Sequence, residues 1–327
     1  MSQLGRRPQG ASGKSRPGVS RQPNSRGGVT GAGRPQGSIG SGFGRHGARQ
    51  ARAASSDGWA SSARSGLAGE QVEGHHAVRQ LLVSRRRRVH LLWAQEACAA
   101  GSPVGQVVEL ARRQGVRVEL KSPEEIMAAA GTDAPQGVVA WAGPLPEVPL
   151  EEMLVRANGC GLVVVLDGVS DPGNLGSVLR VAACAGAAGV VLGRHRSAPL
   201  SPAALKAAAG AAEVVPIARE PGVPGALAKL RAAGWWTVGL DPQASEDVWS
   251  APLLDEPVAL VLGSEGRGLS RLARNRCDSL VAVPVAKRAR DEGVSSLNVA
   301  TACAVGCFEV ARRRAGSLKR TKPPLTS

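Results

Sequence analysis

Residues 162–192 read LVVVLDGVSDPGNLGSVLRVAACAGAAGVVL, and this stretch decides the fold prediction. The run Leu162–Leu166 is apolar and β-branched but too short for a helix, so it predicts a buried parallel strand. An alanine-rich segment from Leu175 to Ala187 follows a polar turn and is typical of a helix, and a second strand begins at Gly189. The order strand, loop, helix, strand indicates a βαβ unit.

The same alternation continues along the chain and predicts an α/β fold with a mostly parallel sheet. In the larger part of the chain, the further predicted helices are residues 202–209, 224–233 and 297–313, and the further strands are 214–217, 235–240, 258–262 and 280–283. Ahead of it we expect helices at 72–84, 106–114 and 123–130, and strands at 89–93, 116–120 and 137–141. These elements predict a small α/β domain followed by a larger one.

Composition divides the chain into five predicted parts. They are a disordered basic tail rich in Gly, Ser and Arg (1–70), a small α/β domain (71–142), a linker that opens with a proline-rich run (143–158), a larger α/β domain (159–315) and a basic C-terminal tail (316–327). The run Arg85–Arg88 in the small domain suits either an RNA contact or a solvated surface.

The excess positive charge lies mainly in the first tail. The chain has 41 basic and 26 acidic residues, and residues 1–56 hold ten of the basic ones and no acidic one. A basic tail of this kind is suited to contact the phosphates of RNA. The alternatives are a solubilising tail and an organelle transit peptide. No apolar run is long enough to span a membrane, so we expect a cytoplasmic protein, or an organellar one if the tail is a transit peptide.

The sequence offers little for metal binding or nucleophilic catalysis. Its six Cys are scattered, without a CxxC pair or a His at ligand spacing, so no metal site is expected. Cys184, Cys303 and Cys307 occur in apolar helical contexts, where a free Cys packs as a small apolar residue. The chain contains neither a phosphate-binding P-loop motif nor a Ser/His/Asp arrangement.

Polar and glycine-rich loops follow three of the predicted strands. The first is DGVSDPGN, which ends at Asn174, and the second is GSEGRG at 263–268, with Glu265 as its acid. The third runs from Val283 to Asn298. Ligands of open α/β sheets bind at the carboxyl ends of the strands, so these loops are the candidate site.

Side chains at the starts of two helices belong to the same region. Ser295 or Ser296 is placed to cap the last helix, which puts Asn298 in its first turn. Arg180 lies in the second turn of the helix after the first loop. Because helix side chains lean toward the N-terminus, Arg180 is expected to reach back over the loop that carries Asn174.

The order and spacing of these loops carry a family resemblance. The motif residues are Asn174, Gly176 and Arg180, then Gly263, Ser264, Glu265, Gly266 and Gly268, then Pro284, Gly293, Ser296, Leu297 and Asn298. This pattern, over residues 159–312, resembles the SpoU (TrmH) family of RNA 2′-O-methyltransferases, of the SPOUT superfamily.

The resemblance implies a fold, a cofactor and an assembly. The second and third loops are expected to form a C-terminal trefoil knot that holds S-adenosylmethionine, and two subunits are expected to pair as a homodimer to complete the site. The residues that match the family's catalytic positions are Asn174, Arg180, Glu265, Ser296 and Asn298. Those that match its cofactor-binding positions are Leu262, Gly263, Ser264, Gly266, Gly268, Val283, Pro284 and Leu297.

The resemblance also covers the small domain. The stretch from VEGHHAV to PQGVVA looks like the family's N-terminal substrate-binding domain. That likeness points to the branch that methylates a guanosine ribose of 23S (large-subunit) rRNA. The alternatives are a tRNA methyltransferase of the same family and a catalytically silent RNA-binding dimer. The intact Arg180, Glu265 and Asn298 argue against a silent protein.

Two departures from the family pattern stand out. The stretch AKRARDEG separates Val285 from Val294, where the family has a shorter connection, so this loop is expected to alter the rim of the cofactor site or to add a phosphate contact. The small domain has Pro135 where the family has His before Gln-Gly. The second departure weakens the assignment of a particular rRNA site and leaves the fold prediction unchanged.

The expected chemistry is transfer of a methyl group to a ribose hydroxyl. A 2′-hydroxyl is a poor nucleophile until it loses its proton or until its developing oxyanion is stabilised. In the family pattern Arg180 is the residue that acts on this hydroxyl. It acts either as a base or as the group that stabilises the oxyanion while a substrate phosphate shares the proton. The sequence leaves both roles open.

Overall fold

The computed structural model describes residues 69–157 and 161–320, with side chains as far as residue 315. The first described segment folds around a four-stranded sheet. Its strands are β1 (Glu70–Glu73), β2 (Val89–Gln95), β3 (Arg117–Lys121) and β4 (Val138–Ala142), and its helices are α1 (His75–Ser84), α2 (Pro103–Arg113) and α3 (Pro123–Ala129). The strand order is β1-β4-β2-β3, in which only β2 and β3 are parallel.

A seven-stranded sheet organises the remaining described residues. Its strands are β5 (Leu162–Asp167), β6 (Gly189–Gly193), β7 (Ile217–Glu220), β8 (Trp236–Leu240), β9 (Glu246–Asp247), β10 (Val258–Gly263) and β11 (Ser279–Ala282). The order is β7-β6-β5-β10-β8-β11-β9, and every neighbouring pair is parallel. The predicted α/β fold with a mostly parallel sheet is confirmed.

Helices cover both faces of the large sheet. They are α4 (Leu150–Arg156), α5 (Pro172–Cys184), α6 (Pro202–Ala207), α7 (Val223–Ala232), α8 (Arg271–Arg274), α9 (Lys287–Asp291) and α10 (Val299–Arg320). Successive strand residues point to opposite faces, so Val164 packs with α5, α6 and α10 while Val165 packs with α4, α7 and α8. Burial on both sides explains why these strands are continuous apolar runs.

The predicted linker and the predicted C-terminal tail both contain helical residues. Residues 150–156, within the predicted linker, form α4, and Leu150 and Met153 of that helix are buried against the large sheet. The last helix was predicted to end before the basic tail, but α10 continues to Arg320. The remainder of that tail, the predicted disordered residues before Gly69, and residues 158–160 lie outside the described residues.

The start of the first helix and the position of the 214–217 strand were predicted wrongly. Val72 and Glu73 belong to β1, which pairs with β4, and α1 begins only after Gly74, whose φ of 85° favours glycine. The strand predicted at 214–217 lies later, at Ile217–Glu220, because Ala211–Glu213 form a 3₁₀ turn that leaves Val214 exposed. The short elements β9, α8 and α9 were not predicted at all.

The cysteine predictions are confirmed in part. Cys303 and Cys307 are buried in α10, and the contact between the two thiols, together with burial, raises the pKa of Cys303. Cys184, which was expected to be buried, is exposed at the end of α5. Among the helices that the structure describes, none combines the length and the apolar content needed to cross a bilayer.

A buried ion pair joins the part built on the four-stranded sheet, called the small domain here, to the part built on the seven-stranded sheet, called the large domain. Arg87 donates from Nε and Nη2 to Glu213 Oε1 at 3.0 and 2.5 Å, and from Nη1 to Glu70 Oε2 at 2.6 Å. The side chains of Arg87 and Glu213 are each 2% exposed. Arg87 is therefore neither an RNA contact nor part of a solvated surface, whereas Arg85 and Arg88 of the same run are exposed.

Removing Glu213 should destabilise the protein strongly. The variant Glu213→Ala leaves the Arg87 guanidinium buried without its main counterion, so we expect the free energy of unfolding to fall by about 3–5 kcal/mol. Chemical denaturation measures this loss. The matched control is Glu152→Ala, which removes an exposed pair with Arg156 and should cost less than about 1 kcal/mol. Equal losses for the two variants would contradict a structural role for the buried pair.

Candidate functional site

The three predicted loops meet at one edge of the large sheet. Because all its strand pairs are parallel, β5, β10 and β11 end at the same edge, and Gly263 at the end of β10 stands in register with Asp167 at the end of β5. Asp167 Oδ2 also accepts a hydrogen bond of 2.7 Å from Ser270 N, which ties the segment after the second loop to the start of the first. The edge therefore brings residues far apart in sequence within reach of each other.

One side chain from each loop joins a hydrogen-bonded cluster. Asn174 Nδ2 donates to Glu265 Oε1 at 3.0 Å, and Asn298 Nδ2 donates to the same oxygen at 2.6 Å and to Asn174 Oδ1 at 2.9 Å. We call Asn174, Glu265 and Asn298 the three-loop cluster. Two amides converge on one carboxylate, so the cluster orients Glu265 and presents polar atoms to the solvent-facing side of the edge.

Helix caps place the two asparagines. Asp171 caps α5 by accepting from Asn174 N at 2.7 Å, which fixes Asn174 in the first turn. Asn298 itself caps α10, because its Oδ1 accepts from Ala300 N at 2.9 Å and Thr301 N at 3.3 Å. The prediction that Ser295 or Ser296 caps this helix was wrong. Asn298 uses its oxygen for the cap and its amide hydrogens for the cluster.

The second loop folds tightly on itself. Gly268 N donates to Ser264 O at 2.8 Å and Ser264 N donates to Gly268 O at 3.1 Å, so the loop closes as a small hairpin. A Cβ on Gly263 would lie 2.0 Å from the carbonyl carbon of Gly268, a distance that no side chain tolerates. Gly266 and Gly268 have φ values of 74° and 67°, in the left-handed region. The glycines are thus required by the backbone of the loop.

A cavity of about 310 Å³ lies behind this loop. Of the residues predicted to bind the cofactor, seven line the cavity: Leu262, Gly263, Ser264, Gly266, Gly268, Val283 and Leu297. Pro284 is not among the lining residues. Glu265 and Ser296, predicted as catalytic, also lie in its wall. The volume is at the lower end of the range for small-molecule sites.

Several lining residues were missed in the sequence. The last residue of β8, Leu240, and the segment after it as far as Gln243 form one wall of the cavity, and Asp241 there is paired with Arg274 at 3.1 Å. β8 lies between β10 and β11 and ends at the same edge of the sheet. The rule that ligands gather at carboxyl ends applies to β8 as well, so its position in the sheet was the missing information.

A second cavity, of about 480 Å³, adjoins the first across the glycine loop. Asn174 and Glu265 line it together with two arginines, Arg196 and Arg267, and Arg267 also lines the first cavity. Glu265 therefore stands in the wall between two spaces. This wall places the Glu265 carboxylate, and beside it the Asn174 amide, where a molecule in one cavity would meet a molecule in the other.

The charged stretch in the third loop forms a short helix of its own. No residue of α9 is buried, and Arg288 within it pairs with Glu292 at 2.9 Å. The residues that follow, Ser295 to Leu297, return to the wall of the first cavity. The insertion therefore projects into solvent beside the rim and leaves the wall intact.

Arg180 does not join the three-loop cluster. Its exposed side chain lines a third cavity, of about 610 Å³, together with residues of the small domain such as His76 and Gln136. Asn174 and Arg180 are six residues apart, which places them about 120° apart around the helix. The expectation that Arg180 reaches back over the Asn174 loop within one chain is not met.

The site shows no thiolate nucleophile. Cys277 lies behind the sheet edge, and burial, together with the charges of Asp278 and Asp167, raises the pKa of its thiol to about 12. Within residues 69–157 and 161–320, no group of three His, Cys, Asp or Glu side chains is arranged to hold a metal ion. The side chains of the three-loop cluster can form hydrogen bonds and charge contacts with a ligand.

Comparison with known proteins identifies the family. The model of the SpoU rRNA methylase family matches residues 161–308, and a model for RNA 2′-O ribose methyltransferase substrate binding matches residues 71–148. The 23S rRNA (guanosine-2′-O-)-methyltransferase RlmB of Pseudomonas putida is 38% identical over 248 residues, which are 75% of this chain and 97% of that protein. The chain belongs to the SpoU rRNA methylase family.

Two further SpoU-like proteins are informative. A putative TrmH family tRNA/rRNA methyltransferase of Bacillus subtilis, YacO, is 35% identical over 75% of this chain and 96% of its own length. The crystal structure of the SpoU methyltransferase AviRb from Streptomyces viridochromogenes, in complex with AdoMet, matches with a TM-score of 0.63 at 27% identity, over 75% of this chain and 90% of that chain. The resemblance read from the three motifs is confirmed.

Proposed function

We propose that this protein transfers a methyl group from S-adenosylmethionine to the 2′-hydroxyl of a guanosine ribose in 23S rRNA. The observation that carries the proposal is the three-loop cluster in the wall between two cavities. One cavity suits a small-molecule cofactor, and the other opens beside the polar atoms that a ribose can contact. Relatives named as 23S rRNA guanosine-2′-O-methyltransferases support the substrate class.

The residues around the first cavity fit S-adenosylmethionine. Apolar walls from Leu240, Leu262 and Val283 suit an adenine ring, and the tight glycine loop lets backbone groups approach a ligand closely. Glu265 places a carboxylate at the wall, where it favours the positive charge of a sulfonium. When bound, S-adenosylmethionine supplies the electrophilic methyl group.

The side chains of the protein supply positioning and charge. Asn174 and Asn298 hold Glu265 by hydrogen bonds, and the cluster is suited to fix the ribose through its hydroxyls. Holding the reacting groups in the correct orientation lowers the activation barrier for methyl transfer, and for this the protein itself need not react. A guanidinium stays protonated at neutral pH, so in this proposal Arg180 stabilises the developing oxyanion while a substrate phosphate shares the proton. Ser296, in the cavity wall, is assigned to positioning.

The RNA class rests on the small domain and on the relatives. The small domain matches the substrate-binding model, and ribose methylation reads no base edge, so selectivity has to come from RNA shape. A large folded rRNA segment suits a two-domain enzyme of this kind. The second candidate substrate is tRNA, because the name of the Bacillus subtilis relative includes both RNA classes.

A methylation assay tests the substrate. With tritiated cofactor, we expect incorporation into unmodified large-subunit rRNA fragments that exceeds incorporation into bulk unmodified tRNA by at least about tenfold, because a shape-selective site discriminates between folded RNAs. Mass spectrometry of the product should locate the label on one guanosine ribose. Equal or greater incorporation into tRNA would contradict the rRNA assignment, and incorporation into neither would contradict the proposed activity.

The proposed enzyme is a homodimer whose catalytic domain carries the family's trefoil knot. The position of Arg180 supports pairing, because within one chain it lies apart from the three-loop cluster. α10 packs against α5, and Phe308 on α10 is 50% exposed and so is available to pack on a second copy. In the dimer, Arg180 of one subunit serves the cluster of the other.

Mixed dimers test this arrangement. The variants Arg180→Ala and Glu265→Ala should each be inactive as homodimers. If Arg180 acts across the interface, a mixed dimer has one intact site, and refolding the two variants together at equal amounts should restore about a quarter of the wild-type rate. Both side chains are exposed, so neither change removes core packing. No recovered activity in dimers shown to be mixed would place Arg180 and Glu265 in the same subunit's site.

A further inference from the structure

The third cavity lies at the junction of the two domains. The small domain contributes Glu73, Thr132 and Gln136 to its lining, and the large domain contributes Arg180 from α5 and Lys206 from α6. The loop at Gly131 packs closely on α6, since a Cβ on Gly131 would lie 3.3 Å from Pro202 Cγ. The cavity is thus built by both domains, and its shape depends on how they are joined.

A hydrogen-bonded relay inside this cavity runs from one domain to the other. Glu73 is completely buried, and its two carboxylate oxygens accept from Gly131 N and from Thr132 Oγ1, each at 2.5 Å. Thr132 Oγ1 in turn accepts from Lys206 Nζ at 3.1 Å. Because the only Thr132 hydroxyl proton goes to Glu73, its oxygen is left as an acceptor that fixes the Lys206 ammonium.

The relay leaves Lys206 with unused hydrogen-bonding capacity. An ammonium has three N–H donors, and Thr132 takes one. Among the described residues, no carboxylate lies within ion-pair distance of Lys206 or of Arg180. Glu73 is already occupied by the loop, and the other acid that lines the cavity is the exposed Asp133. His76, exposed on the rim, is the remaining titratable group.

Two cations face one open cavity, and among the described residues neither forms an ion pair there, so the cavity can accept an anion between them. We propose that the junction cavity binds a backbone phosphate of the RNA between Lys206 and Arg180, with Lys206 held in place by Thr132 of the small domain. The inference rests on the proposed function only in taking RNA as the ligand. Lys206 becomes a binding residue that no motif of the family pattern marked, and Thr132 becomes a positioning residue.

This assignment gives the small domain a part in positioning the RNA for catalysis. Arg180 is the residue that the proposed mechanism uses at the ribose, and a phosphate held beside it on Lys206 fixes the RNA strand relative to Arg180. The small domain then does more than add affinity, because its Thr132–Glu73 relay sets where the lysine stands. Loss of the Thr132–Glu73 relay should weaken RNA binding without changing the number of charged groups in the cavity.

RNA binding measured over a range of salt concentrations tests the proposal. We use wild-type protein without cofactor and an unmodified rRNA fragment that the protein methylates. For Lys206→Ala, the slope of log affinity against log salt should fall by about one, because one phosphate contact is lost. At low salt the affinity should fall about tenfold, as for a hydrogen bond to a charged group. Lys206→Arg should keep the wild-type slope.

The variant Thr132→Val tests the relay separately. It removes the hydroxyl while leaving every charge in place, so the salt slope should stay at the wild-type value and the affinity should fall about threefold. The control for net charge is Lys229→Ala, which removes the same charge from α7 on the opposite face of the sheet. Lys229 pairs there with Glu151 and Glu220, and its removal should not affect RNA binding. Binding of S-adenosylmethionine, measured by calorimetry, reports on the fold of each variant, and Lys206→Gln replaces the alanine variant if that binding is lost.

The outcomes separate this inference from the proposed function. If wild-type protein methylates rRNA but Lys206→Ala keeps both its affinity and its salt slope, the junction cavity does not bind a phosphate. If Lys229→Ala lowers the slope as much as Lys206→Ala, the effect is one of overall charge and the assignment is wrong. A wild-type protein that methylates no RNA would instead contradict the proposed function.

Discussion

The site depends on the hydrogen bonds among Asn174, Glu265 and Asn298, which hold three loops together at one edge of the sheet. Each loop reaches that edge because β5, β10 and β11 are parallel and end on the same side. The first cavity then lies behind the glycine loop and the second in front of it. Without the cluster, Glu265 would have no fixed orientation in the wall between them. The cluster therefore holds the three loops together and also forms the polar surface that a ribose would contact.

The junction of the two domains is the second constraint. Arg87 and Glu213 form a buried ion pair, and the relay from Glu73 to Lys206 crosses the same boundary. Buried charges are costly unless they are well paired, so these contacts specify one arrangement of the two domains. A fixed arrangement matters for an enzyme whose selectivity comes from RNA shape. The core of the small domain is also continuous with one face of the large sheet, so apolar contacts support the same arrangement.

Most of the fold could be predicted from the sequence, because its signals are local. Apolar runs such as Leu162–Leu166 mark buried strands, and the alternation with helices leaves few arrangements open. The helix at 150–156 was missed because it follows a proline-rich run and is only seven residues long. The strand at Ile217–Glu220 was predicted three residues too early because the β-branched Val214 and Val215 resemble the start of a strand, although they directly follow the 3₁₀ turn at Ala211–Glu213.

The site was predictable where residue identity alone was enough. Glycines that the backbone requires, such as Gly263, are visible in a motif, and so are Glu265 and Asn298. The surroundings of Arg180 were not predictable, because they depend on the turn of α5 and on the small domain that packs beside it. The segment after β8 was missed because strand order is set by long-range pairing. Lys206 carries no motif, and only its contact with Thr132 distinguishes it from a surface lysine.

The most direct measurement is a double-mutant cycle between two members of the cluster. Asn174→Ala removes one amide, and Asn298→Ser removes the other while keeping a side chain able to cap α10. Single-turnover rates of methyl transfer to an rRNA fragment are measured for both single variants and for the double variant. If the three side chains act as one unit, the double variant should be little slower than the slower single variant. Rate losses that simply multiply would show that the residues act independently and would contradict the account.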